Sequence, residues 1–169
     1  MKTKTSFLTL FLLASVFSVK AQDYSKLDQI PLKDKSDYPK NENLALECAK
    51  YILDSPIDVM SKDLNHTNAT LFLIKWMSGT PDYTFTVDET AGKILKTNSD
   101  LLVIYFAASV KYVLENKDMA SNDKEVKLNT ITILLTYCED PSKNVKLNGE
   151  LKKMIKAKNE NTLREYLKL

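Results

Sequence analysis

Residues 101–114 read LLVIYFAASVKYVL, the most apolar run outside the N-terminus, and how they fold decides the class of the whole chain. The eight residues 101–108 alone would suit a buried strand. The apolar pattern continues, however, through Val110, Tyr112, Val113 and Leu114, well past the roughly five or six residues of an average strand. A helix is therefore expected here. Because it is apolar on every side, it belongs at the centre of a core.

Working outward, the same helical logic holds on both sides. Upstream, Asn41 or Asn43 can cap a helix carrying Leu44, Cys48 and Ile52 on one face and Ala45, Ala49 and Leu53 beside them. That helix stops at Asp54-Ser55, since the residue before Pro56 is pushed out of the α region. Ser55-Pro56 should open a short turn, with serine as cap and proline at the first position. A second helix is expected from Thr67 or Asn68 through Leu71, Phe72, Ile74, Trp76 and Met77, with Gly79 as the left-handed residue beyond its end. Residues 88–96 suggest a short helix. Downstream, Asn122 to Glu125 matches a capping box for a helix reaching Cys138, whose β-branched middle (residues 130–133) is its weakest point. Leu151, Met154 and Ile155 share a face, and Thr162 to Glu165 forms a further box. The expectation is an all-α chain, a compact bundle or array of about six helices. Trp76, Gly79 and Tyr83 echo the opening of a tetratricopeptide repeat, but glycine falls one place early and no second copy follows, so no solenoid is expected.

The N-terminus carries an address. Lys2 and Lys4 precede an apolar stretch at residues 7–19, and Val19-Lys20-Ala21 forms a cleavage site, so residues 1–21 read as a signal peptide. The stretch is shorter than the about 20 residues of a membrane span. The protein is expected in the periplasm or secreted, with no integral membrane segment after cleavage. Residues 22–40 read as an extended N-terminal arm pinned by Leu27, Ile30 and Leu32, and 41–169 as a single all-helical domain. Removing Lys2, Lys4 and Lys20 from 24 bases leaves 21 against 22 acids, a net charge of −1. With one arginine, Arg164, the chain has no electrostatic footprint for nucleic acid, and none is expected as a partner.

Scarcity narrows the chemistry. Three glycines leave little room for a phosphate-cradling loop, one histidine excludes zinc sites built on two, and no cofactor is expected. His66, between Asn65 and Thr67, reads as a solvent-facing loop residue rather than a general base, because no partner stands at a telling spacing. Asp140, Ser142, Asn144 and Asn148 mimic a calcium loop, but Val145 replaces its glycine and Leu151 its final acid. Cys48 and Cys138 form an even pair in a chain marked for export. They either bridge, closing a loop of about ninety residues for roughly 4 kcal/mol, or lie separately as small buried side chains. Trp76, Tyr83 and Phe85 lie in one ten-residue passage with a glycine-proline turn. They make either a partner-docking surface or, more simply, a helix end whose aromatics fold back over the core.

With Ala21-Gln22, the passage from Trp76 to Tyr83 and Tyr137-Cys138 in view, the chain resembles small exported helical proteins of Bacteroidetes-type bacteria. The resemblance implies a periplasmic or secreted helical protein and supplies no catalytic residues. Two functions follow. One is a non-catalytic exported protein that binds a protein or cell-envelope partner. The other is a small hydrolase whose carboxylates assemble only in three dimensions. Two converging acids, one with a raised pKa, would mark the enzyme, and a contiguous exposed apolar patch the binder.

Overall fold

The computed structural model describes residues 24–60, 62–96 and 98–169. The expected signal peptide lies outside them. The described residues are helical with no strand, and six helices have seven residues or more. In chain order the helices are α1 (Asp37–Lys40), α2 (Glu42–Asp54), α3 (Leu64–Gly79), α4 (Glu89–Leu95), α5 (Leu101–Glu115), α6 (Asp123–Glu139), α7 (Gly149–Asn159) and α8 (Leu163–Tyr166).

The central position expected for residues 101–114 is where α5 lies. It packs on α2 and α6, and also touches α3 and α4. Leu101, Ile104, Ala107, Ala108 and Val110 are wholly buried, each large one contributing about 1.5–3 kcal/mol of transfer free energy. The buried polar residue of the run, Ser109, meets Thr130 of α6 at 3.2 Å between the two hydroxyls, so neither is left unbonded inside. Around this axis, α2 leans on α3, while α7 packs on α6 and α8 on α7. No helix of the described residues is long and apolar enough to cross a membrane.

Caps explain several boundaries. The Asn122 side chain accepts from the Glu125 amide at 3.3 Å and opens α6, as its capping box predicts. The β-branched middle of α6 is accommodated: the Thr132 hydroxyl donates to the Leu128 carbonyl and Thr136 to Thr132. Thr162 does not cap α8. Its hydroxyl turns back to the Ala157 carbonyl instead. Ser55 likewise donates to Tyr51 rather than capping, and Pro56 stands in extended geometry before the short 3-10 turn Ile57–Val59.

Three further expectations need correction. Residues 22–40 are not an extended arm over their described part. A 3-10 turn at Tyr24–Gln29 packs on α3, Tyr24 stacks on Tyr51 at 4.4 Å, and Leu27 and Leu32 are buried. Apolar anchors spaced by polar residues carry the signature of a strap, but the anchors here are close enough to favour coiling. Second, α3 starts earlier than expected, because the Asp63 side chain accepts from the Asn65 amide at 2.9 Å and caps it. Third, Gly79 is the last residue of α3 and has no positive φ. Its bare Cα makes room for the Tyr38 ring, which a Cβ would overlap.

Candidate functional site

The aromatic passage is built as a seal. Trp76 is fully buried and its indole N–H donates to the Tyr38 carbonyl at 3.0 Å. Tyr83 and Phe85 are half-buried, with centroids 6.0 and 6.1 Å from Trp76 and 6.5 Å from each other. The Tyr83 hydroxyl donates to Glu42, and burial together with that carboxylate pushes its pKa up to about 12. Of the three residues, then, Trp76 is enclosed, while Phe85 faces two separate depressions described below.

Cys48 and Cys138 are both free and buried, and they do not stand at bridging distance. Burial pushes each thiol up to about 12, so neither is a nucleophile at neutral pH. The bridge considered from sequence is therefore absent, and the reading as two small core side chains stands.

His66 is a correction too. With α3 starting at Leu64, it falls in the first turn of the helix and is buried, not solvent-facing. Its Nδ1 lies 3.4 Å from the Thr70 hydroxyl, while its Nε2 is buried without a hydrogen-bond partner. Burial lowers its pKa below 6.5, against a smaller upward pull from Asp63. The imidazole is thus neutral near pH 7.

Two surface features stand out. The first is the outer side of α3. Leu64 is 69% exposed, Leu71 62% and Ile74 40%, and at helical spacing they form one stripe. Alongside it, α3 and α5 enclose a groove with two depressions. The first, of about 230 Å³, takes His66, Thr67, Thr70 and Leu71 from α3, with Met60, Asp100 and Val103 around it. The second, of about 130 Å³, takes Ile74, Met77 and Ser78, with Phe85 and Phe106. Thr67, Thr70 and Leu71 of the first have counterparts seven positions on in the second, a separation of about 10.5 Å along the helix, whereas the counterpart of His66, Leu73, is buried in the core.

The second feature is a polar cleft of about 400 Å³ between the 84–88 segment, α5 and the start of α6. The segment brings Thr84, Thr86 and Asp88 to it, α5 brings Tyr105 and Ser109, and α6 brings Asp123 and Lys127. Tyr105 ties the segment down by donating to the Thr86 carbonyl at 3.0 Å, and burial pushes its phenol up to about 12. Lys127 pairs with Asp88 at 2.5 Å. Burial works to raise the Asp88 carboxyl, but the bonds from Lys127 and from the α4 amides outweigh it and hold it below 3.8.

Sequence reasoning missed both features. The stripe was readable in principle, because apolar residues from 69 to 77 occupy more of the α3 circumference than one core contact can cover. The cleft was not, because Asp88, Tyr105 and Lys127 are distant in the chain. Among the described residues, no group of three His, Cys, Asp or Glu side chains is arranged to hold a metal ion. No protein family, curated protein or solved structure matches the chain.

Proposed function

We propose that this is an exported protein, periplasmic or secreted, that acts without catalysis by holding an amphipathic helix of a partner protein in the groove between α3 and α5. The observation that carries the reading is the exposed stripe of Leu64, Leu71 and Ile74 beside paired depressions. A soluble protein rarely leaves such side chains grouped unless something covers them. The seven-residue offset of the depressions matches the i and i+7 anchors of a helix lying along a groove. Asp100 is the charged residue at the first depression and the second has none, so the partner helix carries a lysine or arginine beside its first anchor. A second copy of the chain fits poorly: a standard interface takes roughly 20–30 residues a side, far more than this groove offers.

The hydrolase reading finds less support. The polar cleft does bring Asp88 and Asp123 together. But Asp88 is held ionised by Lys127 and has no proton to give as a general acid.

A photo-crosslinking side chain placed at position 71 or 74, with position 152 on the exposed side of α7 as control, tests the proposal in the envelope fraction. The expected product is one identified protein, joined from 71 and 74 but not from 152 through a segment with apolar residues seven apart. Products shared by all three positions, or links only between copies of this chain, would overturn it.

A further inference from the structure

The polar cleft has its own recognition chemistry, independent of the α3 groove. Its volume, about 400 Å³, is at the small end of ligand sites. Lys127 is already neutralised by Asp88, which leaves no free cation to attract an anion. The Asp123 side chain has no ion pair or hydrogen bond within the described residues, so the lining carries a net charge of −1 from Asp88, Asp123 and Lys127. A carboxylate only accepts, an ammonium only donates, and the exposed Thr84 and Thr86 hydroxyls do both, while the buried Ser109 hydroxyl is already bonded to Thr130. Mixed donors and acceptors of this kind are satisfied best by a ligand whose own groups are hydroxyls, because each can donate to one wall and accept from another. Phe85, half-buried at the rim, and Val126 add an apolar surface for ring C–H groups.

We infer that the cleft between the 84–88 segment, α5 and α6 binds a neutral polyhydroxylated ring of monosaccharide size. Asp123 and Asp88 accept from its hydroxyls, and the Thr84 and Thr86 hydroxyls donate to it or accept from it. The same ring could come from a free sugar or from the terminal unit of an envelope glycan.

Titration of the isotope-labelled full chain, followed by amide NMR, tests this with glucose, galactose, mannose, N-acetylglucosamine and a soluble peptidoglycan disaccharide as probes. At least one probe is expected to shift the amides of residues 84–88, 109 and 123–127, and to leave those of α7 unmoved. A free monosaccharide binding as well as the disaccharide assigns the free sugar, and tighter binding of the disaccharide assigns the glycan end. Asp123→Ala and Thr84→Val change exposed side chains, so folding survives, and each should weaken binding about tenfold, equivalent to 1.4 kcal/mol. No shift by any probe at concentrations well above about 1 mM, the weak end of measurable affinity, would overturn the inference. Tighter binding of inorganic phosphate or of a diamine, or wild-type affinity in both variants, would overturn it as well.

Discussion

At Gly79 the chain forgoes a side chain so that Tyr38 can cross the end of α3, and Tyr38 in turn offers its carbonyl to Trp76. Glycine within a helix ordinarily costs about 0.8–1.0 kcal/mol against alanine. Gly92, in α4 with open space around it, should follow that rule, and Gly92→Ala is expected to gain roughly that much. Gly79→Ala should instead lose about 1–3 kcal/mol by overpacking against the Tyr38 ring. Urea unfolding of the two variants reads the opposite signs. His66 gives a pH prediction. Its pKa is lowered in the folded state, so the stability linked to keeping it neutral is complete above 6.5 and drains away as pH falls through the depressed value. The carboxyls held low, Asp63 among them, contribute only further down, near 3.8. His66→Phe should therefore flatten the stability profile as pH falls below about 6.5, ahead of the carboxylate range, and leave the steeper acid limb. An unchanged slope would show that the proton goes elsewhere. Neither residue was legible in advance. The Asn65-His66-Thr67-Asn68 run looks like a loop, and it is the Asp63 cap together with the burial of His66 that draws it into the helix.

Elements whose ends are set by local side chains were the legible ones. The Asn122 cap and the stop at Ser55-Pro56 both follow from short-range hydrogen bonds and proline geometry, which sequence carries directly. Asn148 caps α7 by accepting from the Glu150 and Leu151 amides, so Asn148→Ala and Asn122→Ala should each cost about 1 kcal/mol. Thr162 shares the box pattern but points its hydroxyl to Ala157, and Thr162→Ala should cost clearly less. Chemical denaturation of the three variants orders them. Equal losses would mean that the pattern alone, rather than the bond, sets the helix start. The α3 helix illustrates the limit of periodicity. It buries Ala69, Phe72, Leu73 and Trp76 inward while leaving Leu71 and Ile74 out, so its apolar residues show no single face.

Over the whole molecule, α5 is the axis and α2, α3 and α6 surround it, a plan visible in the length and uniform apolarity of residues 101–114. What sequence left out is how the surrounding helices assemble surfaces: the α3 groove needs Val103 and Phe106 from α5, and the cleft needs three segments at once. Under the proposed function, the outer stripe of α3 serves a partner and not the fold. The most direct measurement compares Leu71→Glu/Ile74→Glu with Leu73→Glu, the last being wholly buried, for both melting temperature and binding of the crosslinked partner. The double variant should melt within a few degrees of wild type, as surface changes of about 0.5 kcal/mol do, and should bind at least tenfold more weakly. Leu73→Glu should melt far lower. A collapse in the double variant as deep as that of Leu73→Glu, or full partner affinity in the double variant, would contradict the account.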